Sequence, residues 1–373
     1  MEKKNQVPKY PPLRFPEFTD EWKEVKLGEV LSFEVGYPFS SDAFNEEGNG
    51  VRLIKNRDLK ADDRVVFYGG EYDAQYIVQN GDILIGMDGD FSPCLWKKGK
   101  ALLNQRVGRV NANQNTSRVF ILYVLVDSLK KIEHKTSSTT VKHLSHKDVE
   151  KIKASLPSLA EQKKIAALLS LIDERIKVQN AIIKEQEAQK AALLRRLFDR
   201  TLCFPEFTDE WKEVKLGEIC PSIQSGKDKK EEGEIPLYGA AKQLAYTRSA
   251  SYSPPLILIG RVGSVGQLQW IDIPCGVSDN ALVIQKGEAE TVDIRFLFYC
   301  LKMAHLEQYA GGSSQKVITA SFLKSLPLHL PTLPEQKKIA ALLSAIDERI
   351  AVEKEYAALL QKQKAYLLRQ MFV

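Results

Sequence analysis

The sequence predicts an α+β protein in which two equivalent, globular mixed α/β modules are separated by a central antiparallel pair of long helices, with pseudo-two-fold symmetry. Three observations lead to this prediction. The 373-residue chain repeats two segments in the same order. A stretch rich in Ala, Leu, Glu, Gln and Lys follows the second segment each time, which favours a helix. Between the repeated segments, short apolar runs end in glycine turns, which is typical of strands.

The repeated segments are long enough to establish a tandem duplication. FPEFTDEWKEVKLGE occupies 15–29 and 204–218, an offset of 189 residues. EQKKIAALLS occupies 161–170 and 335–344, an offset of 174, and IDERI follows in both copies. The interiors differ in length and share few residues. Because neutral drift would blur flanks and interiors alike, we infer that the interiors carry variable specificity and the flanks carry shared assembly.

These offsets define the predicted domain organisation. Each duplicated unit consists of one module followed by one long helix. The predicted segments are a flexible N-terminal stretch at 1–14, a first module at 15–157, a first long helix at 158–200, a second module at 201–331 and a second long helix at 332–373.

A capping box predicts the start of each long helix. The Ser158 hydroxyl is placed to accept from a backbone N–H while Glu161 reaches back, and Thr332 and Glu335 repeat the pattern. Each helix should run for about 38–40 residues, which is too long for an ordinary globular helix. Apolar residues at heptad-like spacing predict a seam that needs a partner helix. Its main members are Ile165, Leu169, Ile172, Ile176, Ile339, Leu343, Ile346 and Ile350.

Two partner helices are possible for this seam. The other copy within the same chain is the economical one, because two equivalent modules related by a pseudo-two-fold axis would bring the helices together antiparallel. Homodimerisation through each helix separately is the alternative.

Composition excludes some classes of protein but does not identify a function. The formal net charge of +5 and the pI of about 8.7 permit nucleic-acid binding but do not require it. The five cysteines are odd in number and contain no CxxC pair, so we expect neither a disulfide framework nor a zinc knuckle. We expect a cytoplasmic protein, because no signal-peptide or membrane-spanning stretch is found.

The motifs that approach known catalytic patterns are incomplete. SPPL at 253–256 resembles the base-holding turn of adenine methyltransferases, but Leu256 has no ring to stack on a flipped base. GRVGSVG at 260–266 lacks the GxGxxG spacing of a cofactor cradle. EVK at 24–26 has nuclease-like spacing without an upstream partner, and HLSH at 143–146 lacks further ligands. The sequence therefore predicts no catalytic centre and no metal site.

Two equivalent modules on a rigid spacer suit a bipartite DNA target, since half-sites on one face of the duplex repeat about every 34–36 Å. Base reading uses donors and acceptors on loops. The candidates in the first module are Lys55, Asn56, Arg57, Asn104, Gln105, Arg106, Thr139, Thr140 and Lys142. Those in the second are Arg248, Arg261, Ser278, Asp279, Asn280, Ser313, Ser314, Gln315 and Lys316.

The order of these motifs resembles a known family. FPEF, a Trp and LG are followed by a glycine-turn strand, a small-polar loop ending in Lys, and LPxxxEQxxIxxLLSxIDxRI, all occurring twice from about residue 12 onward. This pattern is similar to the specificity (S) subunit of type I restriction-modification systems. The first module lacks the glycines of the family's loop, which has the form GSS or TT followed by x-K.

The resemblance implies a non-catalytic subunit that reads double-stranded DNA. Each module would be a target-recognition domain for one half of a split, asymmetric site, and the helices would set the gap between the halves. Two methyltransferase (M) subunits would dock, bringing S-adenosylmethionine to methylate adenines. Restriction (R) subunits, where present, would add ATP- and Mg-dependent translocation and cleavage. The alternatives are a single-chain modification enzyme without its active site and an assembly scaffold that does not bind DNA.

Overall fold

The structure of the protein is a computed structural model. No helix in the part of the chain that it describes is long and apolar enough to cross a membrane. The described residues are 10–135, 143–285, 291–309 and 317–373.

The chain divides into two compact units. The first combines Met1–Gln179 with Tyr356–Val373, and the second is Asn180–Glu355. Each unit therefore contains one module and a part of both long helices.

The module of the first unit contains three sheets and two α-helices, one of 18 and one of five residues, within its described residues. Its strands are β1 (Lys23–Lys26), β2 (Leu31–Val35), β3 (Phe44–Asn45), β4 (Val51–Ile54), β5 (Val66–Tyr68), β6 (Ile77–Val78), β7 (Ile83–Gly86), β8 (Pro93–Leu95), β9 (Ala101–Leu103), β10 (Val107–Ala112) and β11 (Lys153–Leu156). Its helices are α1 (Arg118–Lys135) and α2 (His146–Glu150), and the first long helix, α3 (Leu159–Phe198), follows.

The sheets of this module are mostly antiparallel. One has the strand order β2-β10-β7-β8, another β3-β5-β4-β9-β6 with a parallel β4–β9 pair, and β1 pairs with β11. Strand β7 is buried along its whole length because both of its faces are covered, with Ile83 and Ile85 in one core and Leu84 in another with Ile54 and Trp96. That position explains why its sequence is an unbroken apolar run rather than an alternating one. Helix α1 covers this sheet with Phe120 and Leu125, which share a core with Ile83 and Ile85.

The module of the second unit repeats this plan with a smaller outer sheet. Its strands are β12 (Lys212–Lys215), β13 (Gln224–Ser225), β14 (Ile235–Tyr238), β15 (Gln243–Thr247), β16 (Leu256–Gly260), β17 (Leu268–Ile271), β18 (Gly276–Val277), β19 (Ala281–Gln285) and β20 (Pro327–Leu330). Its helices are α4 (Leu216–Ile219), α5 (Ile294–Met303) and α6 (Ala320–Ser325), and the second long helix is α7 (Leu333–Gln370). The sheets run β13-β19-β16-β17, β15-β14-β18 and β12-β20.

The long helices have the predicted length, at 40 residues for α3 and 38 for α7. Arg200, two residues past α3, adopts φ 57°, the left-handed conformation that commonly ends helices. In the first unit the two helices pack antiparallel. Ile165, near the start of α3, shares a core with Met371, just past the end of α7, while Asp173, further along α3, pairs with Lys364 at 2.6 Å.

The second unit shows the same antiparallel packing with the helix ends exchanged. Leu197, near the end of α3, shares a core with Ile339 and Leu343, near the start of α7. Earlier on α3, Glu187 pairs with Lys354 at 2.6 Å. The predicted fold class is therefore confirmed.

The seam residues are mostly buried, but they contact more than a helix. Ile165, Leu169, Ile172, Ile339, Leu343 and Ile350 are buried, and Ile176 and Ile346 are half-buried. Ile165 and Leu169 lie in one core with Trp22 and Phe120 of the module. The seam residues thus pack the helix against its module as well as against the other helix.

The predicted cap of α3 is only half right. The Ser158 hydroxyl does accept from the Glu161 N–H, at 3.4 Å. The Glu161 carboxylate instead accepts from Arg14 Nε and Nη2, both at 2.7 Å, and from Trp22 Nε1 at 3.3 Å. Because the N-terminal segment folds back over this carboxylate, its acceptors are occupied by residues about 140 positions away rather than by its own helix.

Candidate nucleic-acid interface

The two repeated segments contact each other within each unit. Strand β1, from the first segment, pairs with β11, and β12 pairs with β20. Trp22 donates to Glu161 at 3.3 Å, and Trp211 donates to Glu335 at 3.3 Å. The identical flanks of the duplication therefore form equivalent joints between a module and a long helix.

A second pair of equivalent contacts strengthens each joint. The Tyr123 hydroxyl donates to Asp173 at 2.8 Å, and the Tyr299 hydroxyl donates to Asp347 at 2.7 Å. Burial, together with these carboxylates, raises the pKa of both phenols, to about 12 for Tyr299. Both tyrosines therefore remain protonated donors throughout the physiological pH range.

Away from the joint, the first module carries a cleft of about 320 Å³. It lies between the segment after β4 and the loop after β7. Its lining residues are Asn56, Arg57, Leu59, Lys60, Asp88, Asp90, Ser92, Pro93 and Cys94. Two of the sequence-predicted DNA contacts, Asn56 and Arg57, therefore share one surface with a pair of aspartates.

Asp88 is the centre of a polar network beside this cleft. It pairs with Arg106 and, at 2.9 Å, with Nδ1 of His143, while its backbone carbonyl accepts from Asn56 Nδ2 at 2.6 Å. Burial alone raises the pKa of Asp88, but the bonds from His143 and Arg106 outweigh it, so the pKa lies below its ordinary value. Asp88 is therefore a fixed anion that orients a cation in the loop region.

Asp90 holds the other cation of the cleft. It pairs with Lys60, and its side chain accepts from the Ser92 N–H at 2.7 Å. Burial raises the pKa of Asp90, but the bonds from Lys60 and Ser92 prevail and lower it to about 2. The cleft thus presents paired cations and anions rather than a uniformly basic surface.

The other predicted residues of the first module lie on nearby loops. The Lys55 ammonium lies 4.8 Å from the centre of the Phe44 ring, and Arg57 donates to the Arg64 carbonyl at 3.2 Å. Asn104 accepts from the Gln105 N–H at 2.8 Å, in the turn between β9 and β10. Gln105 and Arg106 are exposed there.

In the second module three of the predicted residues lie in the turn between β18 and β19, and Arg261 contacts that turn. Arg261 lies half-buried directly after β16 and donates to the Asp279 carbonyl at 3.4 Å. Asp279 and Asn280 are exposed, whereas Ser278 is buried. Arg248 is also exposed, just past β15.

Seven predicted residues lie outside the described part of the chain, so the structure says nothing about them. They are Thr139, Thr140 and Lys142 in the first module and Ser313, Ser314, Gln315 and Lys316 in the second.

The incomplete catalytic motifs occupy structural positions. Leu256 is buried in the centre of a sheet, as the first residue of β16. Gly260 ends that strand, and the residues after it form a turn in which Gly263 adopts φ +82°. Within the described residues no group of three or more His, Cys, Asp or Glu could hold a metal ion.

Sequence reasoning missed four residues of the cleft network, namely Lys60, Asp88, Asp90 and His143. The sequence does contain a signal for two of them, Asp88 and Asp90. The offset of 174 aligns MDGD at 87–90 with RVGS at 261–264, so the first module has carboxylates where the second has none.

Comparison with known proteins identifies the family. The model of the type I restriction modification DNA specificity domain matches residues 19–188 and 208–362, once per copy of the duplication. The chain belongs to this family. Among its relatives, the type I restriction enzyme EcoBI specificity subunit of Escherichia coli is 28% identical over 371 residues, covering 86% of this chain and 78% of the relative. The type I restriction enzyme MjaVIII specificity subunit of Methanocaldococcus jannaschii is 25% identical over 419 residues, covering 95% and 92%.

A solved structure supports the fold of this specificity-subunit family member. The S subunit of a type I restriction-modification system from M. genitalium superposes with a TM-score of 0.72, at 17% identity, covering 98% of this chain and 99% of that one. The family assignment made from the motifs is therefore confirmed. Both of these relatives are named as specificity subunits.

Proposed function

We propose that this chain reads a split, asymmetric DNA site, with one half recognised by each module, and that it docks methyltransferase subunits. One observation carries the proposal. The duplicated segments form the same joint in both units, whereas the loops of the two modules present different side chains. A protein that must hold two readers identically but read two different half-sites requires this division.

The exposed polar side chains suit the DNA surface. Arg106 is 65% exposed, Lys60 is 63% exposed and Arg57 is 45% exposed. Such cations can bind phosphates, which position a protein on DNA, or base edges, which specify sequence. Asp88 and Asp90 hold two of them in defined orientations, which reduces the entropy lost on binding.

Exposed apolar side chains on the long helices support the docking of partners. In the first unit, Leu171 and Val178 of α3 are 66% and 56% exposed, and Leu359 and Tyr366 of α7 are 53% and 58% exposed. Large apolar side chains concentrated on a helix surface are typical of protein interfaces. We assign these surfaces to methyltransferase subunits, two for the two copies, and place S-adenosylmethionine in those subunits.

The same proposal covers the remaining components. Restriction subunits, where the system has them, would supply the ATP- and Mg-dependent steps. The assembly would act on chromosomal DNA in the cytoplasm.

Sequencing of adenine methylation in the host, with the gene intact and deleted, tests the proposal. We expect one split motif to lose its methylation on deletion and to regain it on complementation. DNA binding by the purified assembly should also weaken steeply as salt rises, because phosphate contacts release counterions. An unchanged methylome beside an expressed methyltransferase, with salt-insensitive behaviour, would support the scaffold alternative instead.

A further inference from the structure

The turn at 104–107 in the first module and the turn at 278–281 in the second occupy the same place in the fold. Each is closed by a bond from its last N–H to its first carbonyl, Val107 to Asn104 at 2.9 Å and Ala281 to Ser278 at 3.2 Å. Each leads into the strand that lies beside the central buried strand of its sheet, β10 in one module and β19 in the other.

The backbone contacts of the third turn residue confirm the equivalence. The carbonyl of Arg106 accepts from Met87 N–H at 3.0 Å, and the carbonyl of Asn280 accepts from Arg261 N–H at 2.8 Å. Met87 and Arg261 are separated by the repeat offset of 174, as are Arg106 and Asn280. The same backbone frame therefore carries Arg in one module and Asn in the other.

A glycine allows the chain to pass close beside each turn. A Cβ on Gly36 would lie 2.3 Å from the Asn104 carbonyl oxygen, and one on Gly226 would lie 2.5 Å from that of Ser278. Both distances are far below contact, so each module requires a glycine there. The backbone at Gly36 and at Gly226 thus packs directly against the turn, which fixes the position of the turn in both modules.

In the first module the turn residue is a buttressed arginine. The Arg106 side chain is 65% exposed, while its partner Asp88 is only 16% exposed. One carboxylate oxygen of Asp88 binds Arg106 and the other binds His143. Because a guanidinium has five N–H donors, a side chain held in this way still presents a fork of donors outward.

The second module places a different chemistry in the same frame. Asn280 is exposed, and the position equivalent to Asp88 is Val262, which offers no charge. An Asn side chain is short and neutral, so it needs no counter-ion to orient it. Its amide presents one donor and one acceptor side by side.

We propose that Arg106 and Asn280 are the base-specifying residues of the two modules, with Arg106 recognising a guanine and Asn280 an adenine in the major groove of their half-sites. An arginine fork matches the two acceptors of guanine, O6 and N7, and an asparagine amide matches the N7 acceptor and N6 donor of adenine. This inference rests on the proposed function, since it assigns base identities to the DNA surface that the proposed function assumes.

Selection from randomised DNA tests the assignment. The assembly is purified from its host through a tag on the full chain, bound to duplexes with randomised positions, and the bound DNA is sequenced. For Arg106→Asn, the preference for guanine at one position of one half should fall by about ten- to a hundredfold. For Asn280→Arg, the preference for adenine at one position of the other half should fall similarly. In each variant the untouched half-site reports that the protein is folded.

Arg64→Gln provides a matched control for Arg106. Arg64 is 63% exposed and pairs with Glu46, so it has the same charge, exposure and kind of partner, but it lies outside the turn. It should leave base preferences unchanged.

Three results would overturn the assignment while leaving the proposed function intact. They are a wild-type split motif that neither variant alters, a change at a base other than guanine or adenine, and uniform weakening with a reduced salt slope, which marks a phosphate contact. If the wild-type assembly selects no motif at all, the proposed function itself fails.

Discussion

The two joints between module and long helix are built from identical repeated segments, yet they differ in the charge balance around one buried glutamate. In the first unit, Glu161 is bound by Arg14 and by Trp22. In the second unit, Glu335 is bound by Trp211, and its other oxygen, Oε2, is buried without a hydrogen-bond partner among the described residues. The residue equivalent to Arg14 is Cys203, one position before the identical repeat begins.

A neighbouring arginine replaces only part of what Arg14 does. Arg14 donates to the Asp20 carbonyl at 2.6 Å, and Arg200 donates to the equivalent Asp209 carbonyl at 3.0 Å. Arg14 alone also forms an ion pair with the glutamate among these described contacts. The duplication therefore preserves the packing of the joint, whereas the charge balance around the glutamate depends on a residue just outside the repeat.

The largest expected effect is the loss of this ion pair. Glu161→Gln leaves the Arg14 cation without its counter-charge in a site where the two side chains are 12% and 1% exposed, so we expect the first unit to lose about 3 kcal/mol. Urea unfolding measures this. Glu174→Gln is the control on the same helix, because Glu174 pairs with Lys97 on the surface and should change stability little. Equal effects of the two variants would refute the importance of the buried pair.

A smaller effect is expected at the far ends of the helices. Phe372 stacks on Phe120 in the first unit with ring centres 5.2 Å apart, and Phe198 stacks on Phe296 in the second at 5.4 Å. Each half-buried ring should contribute about 2 kcal/mol, so Phe372→Ala and Phe198→Ala should destabilise their own units by similar amounts. Hydrogen exchange resolves the two units. Tyr366→Ala, which removes an exposed ring from α7, is the control, and protection lost equally in that variant would contradict the assignment.

A pH dependence of stability is also expected at Glu335. Burial raises the pKa of Glu335, and the bond from Trp211 only partly opposes this. Because the folded state holds this proton more tightly than the unfolded state, the contribution of Glu335 to stability is greatest at low pH and declines as pH rises through its raised pKa. Glu335→Gln should remove that decline and, at neutral pH, stabilise the second unit by about 1 kcal/mol or less. Unfolding of both proteins is measured between pH 4 and 8, roughly the range over which such a carboxyl titrates. A variant that is less stable than the wild type at neutral pH would contradict this prediction.

The smallest effect should come from restoring the missing cation. Cys203→Arg places a guanidinium where Arg14 stands in the first unit, and it should lower the pKa of Glu335 and stabilise the second unit by less than about 1 kcal/mol. Cys203→Lys is the comparison, since an ammonium lacks the two-pronged geometry that Arg14 uses. The gain should be absent in a Glu335→Gln background, which the double-mutant cycle measures. A gain that persists there would show that the new side chain acts elsewhere.

The fold could be predicted from the sequence because its signals are local or repeated. The sequence alone shows the capping segments, the heptad-like spacing and the offsets of 189 and 174, without knowledge of tertiary contacts. The role of Glu161 could not be predicted, because its partner Arg14 lies 147 residues away. A capping box predicts a local bond, and tertiary packing here provides a stronger partner.

The candidate interface was predicted only in part for the same reason. Loop position and residue type were enough to select Asn56 and Arg106. Asp88 orders both of them, although it lies 32 residues from Asn56 and 18 from Arg106: its backbone carbonyl accepts from Asn56 and its carboxylate binds Arg106. Arg106 adjoins Asp88 because β7 and β10 are neighbours in the sheet. No sequence period links these positions, so topology alone brings them together.

Exchange of one module tests whether the two modules read DNA independently on a shared frame. Residues 30–155 are replaced by the corresponding interior of another family member, with both repeated segments kept, and adenine methylation is sequenced in the host. We predict that one half of the split motif changes while the other half and the gap between them stay the same. If both halves change, or if the motif is unaltered although the exchanged chain is assembled, the division into two independent readers on a shared frame is wrong.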